Sequence, residues 1–138
     1  HYNSKYKTKI KPVIKLKAEI LQIKSISKNH FIGYNQTFKT NKKTAIAIIG
    51  IGYADGIPRY LSDKIHVYYK DSKFKILGRI SMDSITIDIT DSKYLLKTGM
   101  FIEIINYKHD IEKFASKCGT ISNEVLTSIS NRVKRIYL

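Results

Sequence analysis

From Pro12 to Ile105 the apolar residues of this chain come in short runs at strand spacing, and helix signals appear only after them. Ile85, Ile87 and Ile89 alternate with Thr86, Asp88 and Thr90, the period of a strand with one buried face. Ile65 to Lys70 and Lys73 to Ile76 flank Asp71-Ser72, which predicts a hairpin. The run from Ala45 to Ile51 is β-branched and short, as a buried strand would be, and Met100 to Ile105 reads the same way. Between Pro12 and Ser27, Leu16, Ala18 and Ile20 share one face before Leu21 and Ile23 take over the phase. A phase change inside one run predicts a bulge or a bend around a barrel.

Late in the chain Asp110 suits the N-cap of a helix over Ile111 to Lys117, with Gly119 placed to stop it. Thr120 or Ser122 is the expected cap of a second short helix carrying Val125 and Ile129, and Val133 to Leu138 is expected to close as a strand. The fold class is therefore mostly β, a closed or nearly closed barrel with one or two short helices. At 138 residues and 43% hydrophobic content it forms one domain with its own core.

Several function classes fall away on the same reading. Ala45 to Ile49 is the longest unbroken apolar stretch, far short of the roughly 18 residues a membrane helix needs. With no charged-then-apolar leader, the expected setting is cytoplasmic, with no membrane partner. Cys118 is the single cysteine, so no internal disulfide forms, and His1, His30, His66 and His109 lack metal-ligand spacing. No metal is expected. His1 stands first and Met82 and Met100 are the only methionines, which leads us to expect a chain whose start lies further upstream.

The formal charge of +14 would normally suggest nucleic acid. Its composition argues otherwise. Of 25 basic residues only Arg59, Arg79, Arg132 and Arg135 are arginine, and Lys, Ile, Asn and Tyr make up 62 of the 138 residues. These four amino acids have A/T-rich codons, so base composition explains much of the excess. Residues 1–43 alone carry a net +10, and 1–11 read as a solvated linker or the end of a preceding domain, with the β domain over 12–138.

Three segments stand out, each with a glycine beside a polar or aromatic residue at a strand end: Phe31 to Phe38, Ile51 to Arg59, and Gly78 to Asp83. Glycine there admits the close approach of another backbone or a ligand, and tyrosine with arginine and aspartate suits an anionic ligand. In this order, with the closing run Asn131-Arg132-Val133-Lys134-Arg135-Ile136-Tyr137-Leu138, they resemble the C-terminal β domain of the alanine racemase family. Ile51-Gly52-Tyr53-Ala54-Asp55-Gly56 and Gly78-Arg79-Ile80-Ser81-Met82-Asp83 are the most specific pieces.

The resemblance implies an isomerase that interconverts L- and D-alanine with pyridoxal phosphate, in a bacterial homodimer that supplies D-alanine for peptidoglycan. It implies a preceding barrel domain whose lysine holds the cofactor and acts as one base. The other base is a tyrosine that enters the partner subunit's site, and the motif Gly33-Tyr34-Asn35-Gln36-Thr37 assigns it to Tyr34. Met82 matches the position meeting the substrate carboxylate, with its backbone N–H the expected donor. Tyr53, Arg59, Arg79 and Asp83 match residues lining the passage to the site, where Asp83 would fix one of the two arginines. Asn123 stands where the family usually has a tyrosine near the cofactor phosphate, and its shorter amide is the donor the resemblance implies there. The isolated domain is expected to be inactive.

A reading of another class is a non-catalytic basic β-barrel that binds nucleic acid, with Tyr34, Tyr53, Tyr60, Tyr68 and Tyr69 as stacking faces. A steep fall of affinity with salt would mark that alternative.

Overall fold

A computed structural model describes residues 12–33 and 36–138. The linker assigned to 1–11 and the base assigned to Tyr34 lie outside the described residues.

The centre of the fold is β1 (Leu16–Ile26), which pairs antiparallel with β4 (Thr44–Ile49) on one side and β8 (Phe101–Ile105) on the other. β5 (His66–Tyr69) and β6 (Ser72–Lys75) extend the sheet beyond β8, and β7 (Ile85–Asp88) extends it beyond β4, giving the order β6-β5-β8-β1-β4-β7. The two ends then meet. Ile76 bridges Ile87, and the Leu77 N–H donates to the Thr86 carbonyl at 2.9 Å, so the sheet closes into a barrel. Closure removes the free edges an open sheet would expose.

The interior is mainly isoleucine, including Ile20, Ile49, Ile85, Ile87 and Ile102, all buried, with Val67 and Phe74 from the hairpin. Each such side chain contributes roughly 1.5–3 kcal/mol by leaving water. The expected bulge in β1 is present at Leu21: Ile20 pairs with Ile49 and Gln22 with Ile48. Leu21 and Ile23 do not enter the core, however. Both face outward, with Leu21 over Gly50.

A separate ribbon, β2 (Phe31–Ile32) with β3 (Phe38–Lys39), stands on the outside of the barrel. Ile32 packs with Ile46 and Leu77 in a small second core. Thr40, almost fully buried, ties the base of the ribbon to the end of β1: its Oγ1 donates to the Ser27 carbonyl at 2.7 Å and accepts from the His30 N–H at 2.9 Å. The ribbon is thus held at both its base and its flank.

Three local expectations need correction. The hairpin turn is Lys70-Asp71, not Asp71-Ser72, because Tyr69 pairs with Ser72 and Lys70 adopts φ +52°. That register keeps Val67 and Phe74 opposite each other in the core. The first helix, α1 (Ile111–Cys118), is capped by Asp110, whose carboxylate accepts from the Lys113 N–H at 3.0 Å, and ends at Gly119. The second, α2 (Ser122–Ser128), is not capped by Thr120 or Ser122; Ile121 takes the N-cap position with no side-chain bond. Val133 to Leu138 is not a strand. The barrel leaves it no edge to join, and the Arg135 guanidinium holds it back by donating to the carbonyls of Ile129, Ser130 and Val133.

Candidate functional site

The predicted site segments converge on one loop, Gly78 to Asp83, which connects the barrel-closing bridge to β7. Its turn is fixed by the Ser81 N–H donating to the Ser84 carbonyl at 3.0 Å. β4 delivers the second segment. Past Ile49 the chain reverses into a 3-10 turn at Tyr53–Asp55, and the N–H groups of Tyr53 and Ala54 donate to the carbonyls of Ser81 and Met82, both at 3.0 Å. Gly52 makes this contact feasible, since a Cβ there would collide with both carbonyls.

A second 3-10 turn, Arg59–Leu61, is tied to the same loop through Ser62. The Ser62 hydroxyl donates to the Arg59 carbonyl at 2.8 Å and accepts from the Ile80 N–H at 2.9 Å. The ribbon arrives from the other side. Gly33 at φ +87° and Gly78 at φ +71° face each other, and a Cβ on Gly78 would stand 3.1 Å from the Ile32 carbonyl. Tyr34 follows Gly33 directly in sequence.

Met82 and Tyr53 are exposed, at 53% and 47%, on the surface so formed. With the Ser81 and Met82 carbonyls both engaged, the Met82 N–H has no acceptor among the described residues. That leaves a donor at the tip of a hydrogen-bonded turn, suited to a carboxylate. Arg59 and Arg79 are exposed and form no ion pair among the described residues. Asp83 fixes neither of them. Its carboxylate receives Arg132 Nη2 at 2.6 Å, while Arg132 Nε lies 3.4 Å from Oδ1 of Asp55. These neighbours raise the guanidinium pKa, Asp83 most and then Asp55.

Asp55 is buried, and its other oxygen, Oδ2, accepts the Gly52 N–H at 2.9 Å. Its carbonyl accepts from the Ser130 N–H at 3.1 Å, which ties the chain after α2 to the same turn. Sequence reasoning gave neither Asp55 nor Arg132 a role. A signal was present: an arginine kept in a chain with 21 lysines points to a use for the forked guanidinium.

Asn123 sits apart, exposed on the first turn of α2, and no described contact joins it to the loop. Its amide has no hydrogen-bond partner among the described residues and fits as a donor to a phosphate oxygen. No group of three or more His, Cys, Asp or Glu side chains among the described residues is placed to hold a metal ion. No described helix is long and apolar enough to cross a membrane.

The family model "Alanine racemase, C-terminal domain" matches residues 13–137. The alanine racemase of Brucella ovis is 40% identical over an alignment of 139 positions, covering all of this chain and 35% of that protein. The alanine racemase of Acidiphilium cryptum is 42% identical over 127 positions, 92% of this chain and 35% of that one. The chain thus spans about a third of the length of these curated relatives. Among solved structures, alanine racemase from Bartonella henselae with covalently bound pyridoxal phosphate superposes with a TM-score of 0.86 at 42% identity, covering 91% of this chain and 35% of that one. Alanine racemase of Clostridium difficile 630 in complex with cycloserine gives 0.88 at 36% identity, covering all of this chain and 38% of its own. With a family match over almost its whole length and the same fold in these enzymes, the chain belongs to the alanine racemase C-terminal domain family.

Proposed function

We propose that this chain is the substrate-contacting β domain of an alanine racemase, which interconverts L- and D-alanine and supplies D-alanine for peptidoglycan in a bacterial cytoplasm. The observation that carries the reading is the convergence of the ribbon, the Tyr53 turn and the Arg59 turn on the Gly78–Asp83 loop, with the Met82 N–H left open.

Pyridoxal phosphate, held through a lysine of the preceding barrel domain, supplies the electron sink that makes the α-proton of alanine removable. This chain binds, orients and moves a proton. The Met82 N–H donates to the alanine carboxylate and fixes the α-carbon. The phenolate oxygen of Tyr34, reaching the site of the second subunit in a homodimer, takes the α-proton of L-alanine and becomes the phenol. The base on the opposite face, in its protonated form, gives its proton to the α-carbon to make D-alanine, and the roles reverse for the back reaction. A phenol of ordinary pKa near 10 needs a cationic neighbour to act as a base at neutral pH. Arg59 and Arg79 draw the alanine carboxylate toward Met82 along a passage that Tyr53 also lines, and Asn123 donates to the cofactor phosphate. The chain alone, without the lysine domain, is inactive.

Nucleic acid and membranes have no part in this reading. Two of the tyrosines that would stack on bases are used inside the fold: Tyr68 is buried, its ring 3.8 Å from that of His109, and Tyr69 meets Tyr94 edge-on at 5.3 Å.

The test is Tyr34→Phe in the full-length enzyme. Exchange of the α-hydrogen for deuterium should collapse from L-alanine and persist from D-alanine, because only one face loses its base. Equal loss from both enantiomers would sink the assignment.

A further inference from the structure

We propose that Arg132 is a positioning residue for substrate, clamping the Tyr53 turn to the Met82 loop so that the Met82 N–H is held where the alanine carboxylate binds. This rests on the reading of Met82 given above.

The clamp has four parts in a row. The Gly52 N–H is held by Asp55 Oδ2 at 2.9 Å, Asp55 Oδ1 faces Arg132 Nε at 3.4 Å, and Arg132 Nη2 donates to Asp83 Oδ1 at 2.6 Å. Asp83 follows Met82 directly, and Gly52 precedes the two residues whose N–H groups hold the Ser81 and Met82 carbonyls. Arg132 therefore closes a ring that already contains the open N–H.

Its chemistry is specific to a guanidinium. Two nitrogens of one planar group address carboxylates on two different loops, which a single ammonium does poorly. This chain otherwise favours lysine 21 to 4. Arg132 and Asp83 are also exposed, at 50% and 60% of their side chains. The Arg132–Asp83 pair, this open to water, stabilises the fold little, and on the buried side Asp55 keeps the Gly52 N–H whether or not Arg132 is present.

The experiment uses the full-length enzyme with Arg132→Lys and Arg132→Met, each checked for an unchanged thermal midpoint. KM for both alanine enantiomers should rise about tenfold, with kcat changing less, as expected for a displaced binding donor. Inhibition by propionate, which carries only the carboxylate, should weaken in parallel. Binding of ethylamine, which lacks the carboxylate, should not change. Arg132→Lys should keep the fold without restoring KM. Amide exchange at Tyr53 and Ala54 should speed up in both variants.

Unchanged KM and propionate inhibition in folded variants overturn the proposal, as does equal weakening of propionate and ethylamine. If the unmodified enzyme does not racemise alanine, the functional reading falls instead. The clamp is then judged by exchange alone: unchanged protection at Tyr53 and Ala54 overturns it, and faster exchange upholds the link between the loops.

Discussion

Gly52 is packed so tightly against the Met82 carbonyl that any side chain at position 52 would overlap it. The site therefore depends on a missing methyl group as much as on any functional group. Gly52→Ala should force the Tyr53 turn away from the loop, costing about 2 kcal/mol or more in overpacking. A denaturation midpoint measures the loss, and a raised KM for alanine should accompany it. A fully stable Gly52→Ala protein would mean that the two loops do not touch in this way.

Replacing Met82 itself should matter far less. The group assigned to substrate is its backbone N–H, and the thioether is half exposed. Met82→Leu should leave kcat/KM within about threefold of the parent, since a surface change that keeps the backbone is close to neutral. A loss of several orders of magnitude would assign the role to sulfur.

These two residues also show what could be read from the sequence and what could not. The Gly-Tyr and Gly-Arg motifs marked the site because glycine beside tyrosine or arginine at strand ends is a local pattern. β1, β4, β7 and the cap at Asp110 were legible for the same reason: alternation and capping act over a few residues. Asp83 was legible as a charge but not as a pair, because its partner Arg132 lies 49 positions away and only the closed barrel brings them together. The last six residues read as a strand by composition. Whether a strand forms there depends on a free sheet edge, and the Ile76–Ile87 bridge leaves none at the ends of the sheet.

His66 and His109 should titrate below the ordinary histidine value of about 6.5. Burial lowers both first, and nearby lysines add to it: Lys73, Lys117 and Lys75 for His66, with His109 itself contributing, and Lys113, Lys117, Lys108 and Lys73 for His109. The folded protein therefore binds these protons less readily than the unfolded chain. The resulting stability is full above the unfolded value and is lost as pH falls below it through the folded midpoints. NMR titration of the two imidazoles checks the direction, and Lys117→Gln should move both midpoints upward. Midpoints above the ordinary value would contradict the packing around them.

Asp71 offers a second titration, on the acid side. Its carboxylate accepts from Lys93 Nζ at 2.6 Å and from Tyr94 Oη at 2.5 Å, and these bonds, Lys93 first, lower its pKa to about 2. What it adds to stability is present above the unfolded aspartate value and disappears as pH falls from there through about 2. The carboxyl carbon shift should follow that midpoint. Lys93→Met and Tyr94→Phe should each raise it, and a midpoint unmoved by either change would remove the hydrogen bonds as its cause.

The barrel closure should control the site loop from behind. Ile87 is fully buried, pairs with Ala47 of β4 and bridges Ile76, two residues before Gly78. Ile87→Ala should cost about 2–5 kcal/mol, part from lost burial and part from the cavity. Asp110→Ala, which removes the cap of α1 far from the loop, should cost only about 1 kcal/mol. The informative comparison is amide exchange at Leu77, whose N–H crosses the closure to Thr86. With global stability matched by adding denaturant to the Asp110→Ala protein, Leu77 should still exchange faster in Ile87→Ala. Equal exchange would mean that the two edges separate only when the whole barrel unfolds, and that the Gly78–Asp83 loop is held by its contacts with the ribbon, the Tyr53 turn, Ser62 and Arg132 rather than by the closure.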